Sequence, residues 1–131
     1  MLQILVFLSF IKQIKVLVVD DSLLITERIA EMVSELPCVS EVFVSTDYTG
    51  ALQVIKEDMP DIILLDIHLP QKSGIDLLRF TRTNYPSIKI MMVTNKATEY
   101  YRELCNELGS HYFIDKSKEF ETIPGIIQSC C

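Results

Sequence analysis

The chain has 131 residues, of which 49% are hydrophobic and 23% are charged, and its formal net charge at pH 7 is −6. This length suits one compact domain with a core of its own, and the composition excludes a disordered chain. The negative charge disfavours direct binding to nucleic acid, because phosphate recognition depends largely on Lys and Arg.

The first eleven residues, MLQILVFLSFI, are strongly apolar. They are too short to span a bilayer, which takes about 20 residues, and they lack the basic start and the small-residue cleavage site of a signal peptide. We expect no membrane insertion. We interpret residues 1–14 as an apolar extension that packs on the domain or on a partner chain, or as the product of a start codon placed too early, and we assign residues 15–131 to the domain itself.

The cysteines show neither a CxxC spacing nor the pattern of a disulfide framework. They are Cys38, Cys105, Cys130 and Cys131. We therefore expect a reducing, cytoplasmic compartment.

From residue 15 onward, short apolar runs alternate with longer amphipathic stretches. The apolar runs predict five strands, at 15–20, 41–45, 61–66, 89–94 and 111–115. The amphipathic stretches predict five helices, near 22–36, 48–57, 74–84 and 97–108, with a short one from residue 122 or 123. The third run, DIILLD, has no alternation, so we expect that strand to be buried on both faces.

Local signals support the ends of these helices. Ser22 or Asp21 can cap the first helix, and Pro37 follows its end. Gly109 is placed to end the fourth helix, and Pro124 is best tolerated in the first turn of the last one.

Strands that alternate with helices predict an α/β fold with a doubly wound parallel sheet. Ligands of such sheets bind at the carboxyl ends of the strands. Polar residues occur at these ends, namely Asp20, Asp21, Asp66, Thr94 and Lys116. Three carboxylates at one edge repel each other and predict a bound divalent cation such as Mg²⁺. A carboxylate nucleophile, a divalent cation, an ammonium group and a hydroxyl group together indicate phosphoryl transfer.

The segments that carry these residues resemble the receiver domains of two-component response regulators. They are VVDD at 18–21, LLDIHLPQKSG at 64–74, VT at 93–94 and FIDK at 113–116. Pro70 follows Asp66 at four residues and Gly74 at eight, as in that family. The resemblance covers about residues 15–129. It implies a flavodoxin-like, CheY-like fold, in which a five-stranded parallel sheet of order 2-1-3-4-5 is flanked by helices.

The resemblance also implies roles for the residues at the sheet edge. Asp66 would accept a phosphoryl group from a phosphohistidine. Mg²⁺, or Mn²⁺, would be bound directly by Asp21 and through water by Asp20. Asp66 and the backbone carbonyl of His68 would also belong to the metal site. Metal binding by the His68 side chain is the less favoured alternative.

Three further roles follow from the same resemblance. Lys116 would pair with the phosphoryl group, and Thr94 would move to hydrogen-bond it. Phe113 occupies the aromatic switch position, where the ring turns inward when Thr94 moves.

The implied function is that of a signalling switch. A histidine kinase or a histidine phosphotransfer protein would phosphorylate the domain, and a downstream output protein would recognise its changed face. We expect no enzymatic activity apart from self-phosphorylation and autodephosphorylation. The residues do not decide whether the chain is a stand-alone regulator, a phosphorelay intermediate or a receiver cut from a longer regulator. They also leave open whether it forms a homodimer.

Two other classes fit the residues less well. An aspartyl-phosphate phosphatase of the haloacid-dehalogenase type needs an Asp two residues after its nucleophile, where this chain has His68 after Asp66 and Ser22 after Asp20. A flavin-binding flavodoxin-like protein needs a phosphate loop after its first strand, where the pair Asp20-Asp21 would repel a phosphate.

Overall fold

The computed structural model describes residue 3 and residues 12–131. The predicted apolar extension, residues 1–14, therefore lies mostly outside the described residues, and its role stays a prediction. Within the described ranges, no helix has both the length and the apolar character needed to cross a membrane.

Five parallel strands form one sheet of order β2-β1-β3-β4-β5, as predicted. The strands are β1 (Ile14–Val19), β2 (Val39–Ser45), β3 (Ile62–Leu65), β4 (Lys89–Thr94) and β5 (Tyr112–Asp115). Every residue of β3 is buried, which confirms the prediction from its unbroken apolar sequence.

Five α-helices cover the sheet in the described part of the chain. They are α1 (Leu23–Ser34), α2 (Tyr48–Asp58), α3 (Gly74–Asn84), α4 (Glu99–Glu107) and α5 (Ile123–Ser129), with a 3₁₀ turn at Phe120–Thr122 before α5. Helices α1 and α5 pack on one face, and α2, α3 and α4 pack on the other. Alternate residues of β1 supply the two cores, with Val16 and Val18 on the first face and Leu17 and Val19 on the second.

Several element boundaries differ from the predicted ones, and three of these differences have local reasons. Strand β2 begins two residues earlier than predicted, at Val39, because its register with β1 extends to Ile14. Helix α4 begins at Glu99 rather than 97, because the Thr98 side chain accepts the N–H of Tyr101 and caps the helix there. Strand β1 ends at Val19, so Asp20 and Asp21 lie in the turn after the strand.

Gly109 ends α4 in the way that its residue type predicts. Its φ is 95°, a left-handed conformation that glycine adopts without strain. The N–H of Gly109 donates to the carbonyl of Asn106 at 3.1 Å, and the N–H of Ser110 donates to the carbonyl of Cys105 at 2.9 Å. These two bonds form a Schellman motif.

Gly74 lets α3 begin directly against the end of β3. Its N–H donates to the carbonyl of Ile67 at 2.7 Å, and a Cβ atom at this position would overlap the carbonyl oxygen of Asp66. The side chains of Ser73 and Asp76 form a capping box at the same helix end. The loop after Asp66 is therefore held close to the sheet, which explains why glycine follows Asp66 at eight residues.

A disulfide bond corrects the interpretation of the cysteines. Cys38 and Cys131 are bonded, with their Cα atoms 6.0 Å apart and a sequence separation of 93, while Cys105 and Cys130 are free thiols. Spacing along the chain could not show this pair, because the fold brings the end of α5 beside the turn after α1. The cysteine pattern therefore no longer supports a reducing compartment.

Candidate functional site

Backbone hydrogen bonds extend the sheet by one residue beyond the ends of its strands. The N–H of Asp66 donates to the carbonyl of Val19 at 3.0 Å, and the N–H of Lys116 donates to the carbonyl of Thr94 at 2.9 Å. The N–H of Asp20 likewise donates to the carbonyl of Ser45, at 3.2 Å. Three charged residues from three segments are thus held at one edge by the backbone itself.

The Lys116 ammonium group lies between two buried carboxylates. It donates to Oδ2 of Asp66 at 3.0 Å and to Oδ2 of Asp20. Asp20 is only 2% exposed and Asp66 only 6%, so each carboxylate needs such a partner in place of water.

Backbone donors take the second oxygen of each of these carboxylates. Oδ1 of Asp66 accepts the N–H of Ile67 at 2.7 Å, and Oδ1 of Asp20 accepts the N–H of Ser22 at 2.9 Å. Both side chains are therefore fixed in orientation by the turns that follow their strands.

The electrostatics of the site reflect burial and pairing together. Burial raises the pKa of Asp20 above its ordinary value, although the hydrogen bonds from Lys116 and Ser22 act in the opposite direction. Burial also opposes the charge on Lys116, but its contacts with Asp20 and Asp66 outweigh this and raise the pKa of the ammonium group. Lys116 is therefore a charged lysine at neutral pH.

Asp21 completes an acidic cluster with Asp20 and Asp66. One carboxylate oxygen from each of the three lies within 4.8 Å of the others, and Asp21 is exposed to solvent. One ammonium group does not neutralise three carboxylates, and oxygen ligands suit Mg²⁺. The donor set therefore fits a divalent cation with part of its water shell retained. The His68 side chain is exposed and lies outside this cluster. The role predicted for the backbone carbonyl of His68 stays a prediction.

Thr94 lies on β4, the strand next to β3, and Phe113 lies on β5, the edge strand beyond it. Thr94 is fully buried, and its Oγ1 accepts the N–H of Lys96 at 3.0 Å. Phe113 is half-buried, and the Arg102 guanidinium lies 4.7 Å from the centre of its ring. Among residues 12–131, neither side chain hydrogen-bonds to the acidic cluster. The structure thus brings together Asp20, Asp21, Asp66 and Lys116 and leaves the two predicted switch residues beside them.

Nothing in the sequence predicts the contact of Arg102 with Phe113. Arg102 also donates to the Phe113 carbonyl at 3.4 Å and pairs with Glu119 at 3.8 Å. No spacing signal could have shown these contacts, because they depend on how α4 lies against β5. The backbone donors at Ser22 and Ile67 were missed for a similar reason, since every residue type except proline offers the same N–H group.

Similar proteins include several that are named as enzymes. One is the protein-glutamate methylesterase/protein-glutamine glutaminase of Methylobacillus flagellatus, which is 34% identical over 107 residues, or 80% of this chain and 30% of that protein. Another, from Syntrophomonas wolfei, is 37% identical over 82 residues, or 63% of this chain and 24% of that protein. The chain spans about a third or less of the length of these relatives.

These names correct the prediction that the protein is not an enzyme. That prediction is wrong as it stands, because relatives that share this domain are themselves named as enzymes. The residues could not show it, since the shared segment covers only about 30% of those proteins.

Two solved structures are similar along nearly the whole chain. The response regulator domain of Thermotoga maritima CheB has a TM-score of 0.80 and 25% identity, and the match covers 90% of this chain and 93% of that one. The BeF₃-activated receiver domain of Klebsiella pneumoniae RstA has a TM-score of 0.79 and 26% identity, and the match covers 88% of this chain and 96% of that one.

The sequence pattern of the response regulator receiver domain matches residues 16–128. The matched range includes all five strand ends, the acidic cluster and Lys116. It leaves the phosphatase and flavin-binding alternatives without support. The chain belongs to the response regulator receiver domain family.

Proposed function

We propose that Asp66 is the phosphoacceptor of this receiver domain. One observation carries the proposal: the buried Asp66 carboxylate shares the Lys116 ammonium group with Asp20, in a cluster that also includes Asp21. A carboxylate placed after an apolar strand needs such partners to stay charged. A charged carboxylate is the nucleophile that phosphoryl transfer requires.

The reaction would use Asp66 as the attacking group. An Asp66 carboxylate oxygen attacks the phosphorus of a phosphohistidine, and the phosphorus–nitrogen bond breaks as the phosphorus–oxygen bond forms. The donor's imidazole leaves, and Asp66 becomes an acyl phosphate. Lys116 already contacts Oδ2 of Asp66 at 3.0 Å, so its charge is available to the phosphoryl oxygens that arrive there.

The cation-binding residues in this proposal are Asp20, Asp21 and Asp66, with the backbone carbonyl of His68. When bound, Mg²⁺ or Mn²⁺ would neutralise negative charge on the phosphoryl oxygens. Asp21 is the exposed member of the cluster, which makes it the residue that an entering hydrated ion meets first.

Thr94 and Phe113 are the proposed switch residues. The Thr94 hydroxyl would exchange its bond with the Lys96 N–H for one with the phosphoryl group, and the Phe113 ring would then turn inward. The turn of the ring would change the surface formed by α4, β5 and α5. This is a bistable element biased by a local change of charge.

The partners follow from the family to which the chain belongs. We propose a histidine kinase or a histidine phosphotransfer protein as the donor and an output protein or domain as the receiver of the signal, in the cytoplasm. Direct binding to nucleic acid is not proposed, in keeping with the net charge of −6.

Acetyl phosphate with Mg²⁺ tests the acceptor by intact-mass measurement. We expect one phosphoryl group on the wild type and none on Asp66→Asn. Asp61→Asn is the matched control, because Asp61 precedes the same strand at its other end and its side chain accepts the backbone N–H of Lys15. An adduct that persists on Asp66→Asn, or none on the wild type, would contradict the proposal.

The output that the domain controls is proposed to be a methylesterase or glutaminase. The observation that favours this is the 34% identity to the Methylobacillus flagellatus protein over 80% of this chain. Protein captured from its native cells with an antibody to this domain should release methanol from a substrate carrying glutamate methyl esters. Captured protein that releases neither this methanol nor ammonia from a substrate carrying glutamine would contradict the proposal and leave the acceptor chemistry of Asp66 untouched.

A further inference from the structure

The disulfide between Cys38 and Cys131 joins two segments that differ in how firmly they are held. Cys38 lies in the turn between α1 and β2 and is only 3% exposed, and its carbonyl accepts the N–H of Ile14 at 2.8 Å. Cys131 follows the last helix and is half-buried. Cys38 is therefore anchored to the sheet, whereas Cys131 moves with α5.

Within residues 12–131, helix α5 has few attachments to the rest of the domain. It has seven residues and no side-chain cap at its start, and only Ile123 and Ile127 are buried. A helix this short is marginal in water and depends on tertiary contacts. The 3₁₀ turn before α5 makes one such contact, in which the Arg28 guanidinium of α1 lies 5.0 Å from the centre of the Phe120 ring. A covalent bond at the far end of α5 therefore has a large influence on whether this helix stays docked.

The other two cysteines do not compete for the same bond. The Cys130 thiol donates to the Ile126 carbonyl at 3.3 Å and lies 3.7 Å from the Tyr112 hydroxyl oxygen. Cys105 is buried in the core on the opposite face of the sheet, where burial raises the pKa of its thiol to about 11. The fold thus selects one pair from four thiols.

We propose that Cys38 and Cys131 form a reversible redox site that fastens α5 to the turn after α1 when it is oxidised. The oxidant is a low-molecular-weight disulfide of the glutathione type. The Cys131 thiolate attacks one sulfur of this disulfide and releases the first thiolate. The Cys38 thiolate then attacks the Cys131 sulfur, and the second thiolate leaves. Two protein thiols are oxidised, one small disulfide is reduced to two thiols, and the protons pass from the protein to the leaving thiolates.

Reduction by a dithiol reverses these steps and frees α5. A bond between residues with a sequence separation of 93 restricts the unfolded chain strongly, so the oxidised protein should melt roughly 10 °C above the reduced protein. Amide exchange in α5 should become at least about tenfold faster on reduction, while exchange in β3 should change little.

The experiment equilibrates the full chain with mixtures of reduced and oxidised glutathione. Free thiols are then alkylated under denaturing conditions, and the linked peptides are identified by mass spectrometry. Cys131→Ser is the test variant, because the residue is half-buried and its replacement leaves the core intact. Cys130→Ser is the matched control, since it removes the neighbouring thiol and keeps the proposed pair.

We expect a reversible transition to a Cys38–Cys131 link in the wild type and in Cys130→Ser. We expect no such link in Cys131→Ser. Reduction of the Cys38–Cys131 bond should be accompanied by faster amide exchange in α5. Four alkylated cysteines at every glutathione ratio, a link through Cys130 as the main product, or a link between two chains would each overturn the proposal. So would unchanged exchange in α5 between the two states. None of these outcomes depends on phosphorylation of Asp66.

Discussion

The two ends of β3 carry carboxylates with different surroundings. Asp61, just before the strand, is half-buried, and its Oδ2 accepts the backbone N–H of Lys15 at 2.8 Å. Asp66, just after the strand, is nearly buried and shares an ammonium group with Asp20. The first carboxylate completes the hydrogen bonding of a sheet edge, and the second belongs to a group of charges from three segments.

This difference teaches that a carboxylate at a strand end is not by itself evidence of a functional site. Both aspartates flank the same apolar strand, and both have a hydrogen-bond partner. Only at the carboxyl end do Asp20, Asp21 and Lys116 join the same place. Convergence of charges, rather than the presence of one, distinguishes the two ends.

The largest expected effect concerns the space behind Asp66. Gly74→Ala should lower the free energy of unfolding by about 3 kcal/mol, because the new Cβ atom would overlap the Asp66 carbonyl oxygen and force the backbone to move. Gly125→Ala in α5 is the control, since its added Cβ atom would point into open space, and it should be neutral or stabilising by up to about 1 kcal/mol. Urea unfolding measures both variants. Equal effects would show that the approach of α3 to Asp66 is not tight.

A smaller effect is expected from the lysines at the two ends of the sheet. Lys116→Met should lower the free energy of unfolding by about 2 kcal/mol, because it leaves Asp20 and Asp66 buried without their shared partner. Mg²⁺ should restore part of this loss, since binding to the folded state stabilises it. Within residues 12–131, the Lys15 ammonium group donates to the Asp58 carbonyl and pairs with no carboxylate, so the effect of Lys15→Met should stay within about 0.5 kcal/mol. Urea unfolding measures both variants. A similar loss of unfolding free energy in the two would show that the lysines at the two ends of the sheet contribute equally to stability.

The smallest expected effect concerns the exposed member of the cluster. Asp21→Ala should weaken Mg²⁺ binding by about tenfold in calorimetric titration, because it removes an oxygen ligand. Asp58→Ala removes the same charge near the other end of the sheet and should change the affinity less than about twofold. Unchanged binding in Asp21→Ala would exclude this residue as a ligand.

Much of the fold could be predicted because the sequence repeats one local pattern. Each apolar run becomes a strand, and the unbroken run of β3 is buried on both faces. The acidic cluster could be predicted as well, because parallel strands place Asp20 and Asp66 at the same edge whatever the detailed packing is.

What the sequence could not show depends on contacts between distant segments. The bond from Cys38 to Cys131 needs α5 to lie beside the turn after α1, and no spacing encodes that position. The contact of Arg102 with Phe113 depends in the same way on the docking of α4 against β5. That relatives are named as enzymes came only from comparison, since the shared segment covers about 30% of those proteins.

Locating the phosphoryl group tests the central claim most directly. Protein treated with acetyl phosphate and Mg²⁺ is reduced with borohydride, which converts an aspartyl phosphate into homoserine, and the modified peptide is sequenced by mass spectrometry. We predict homoserine at position 66 and an unmodified Asp61. Homoserine at Asp20, Asp21 or Asp61, with position 66 unchanged, would contradict the account.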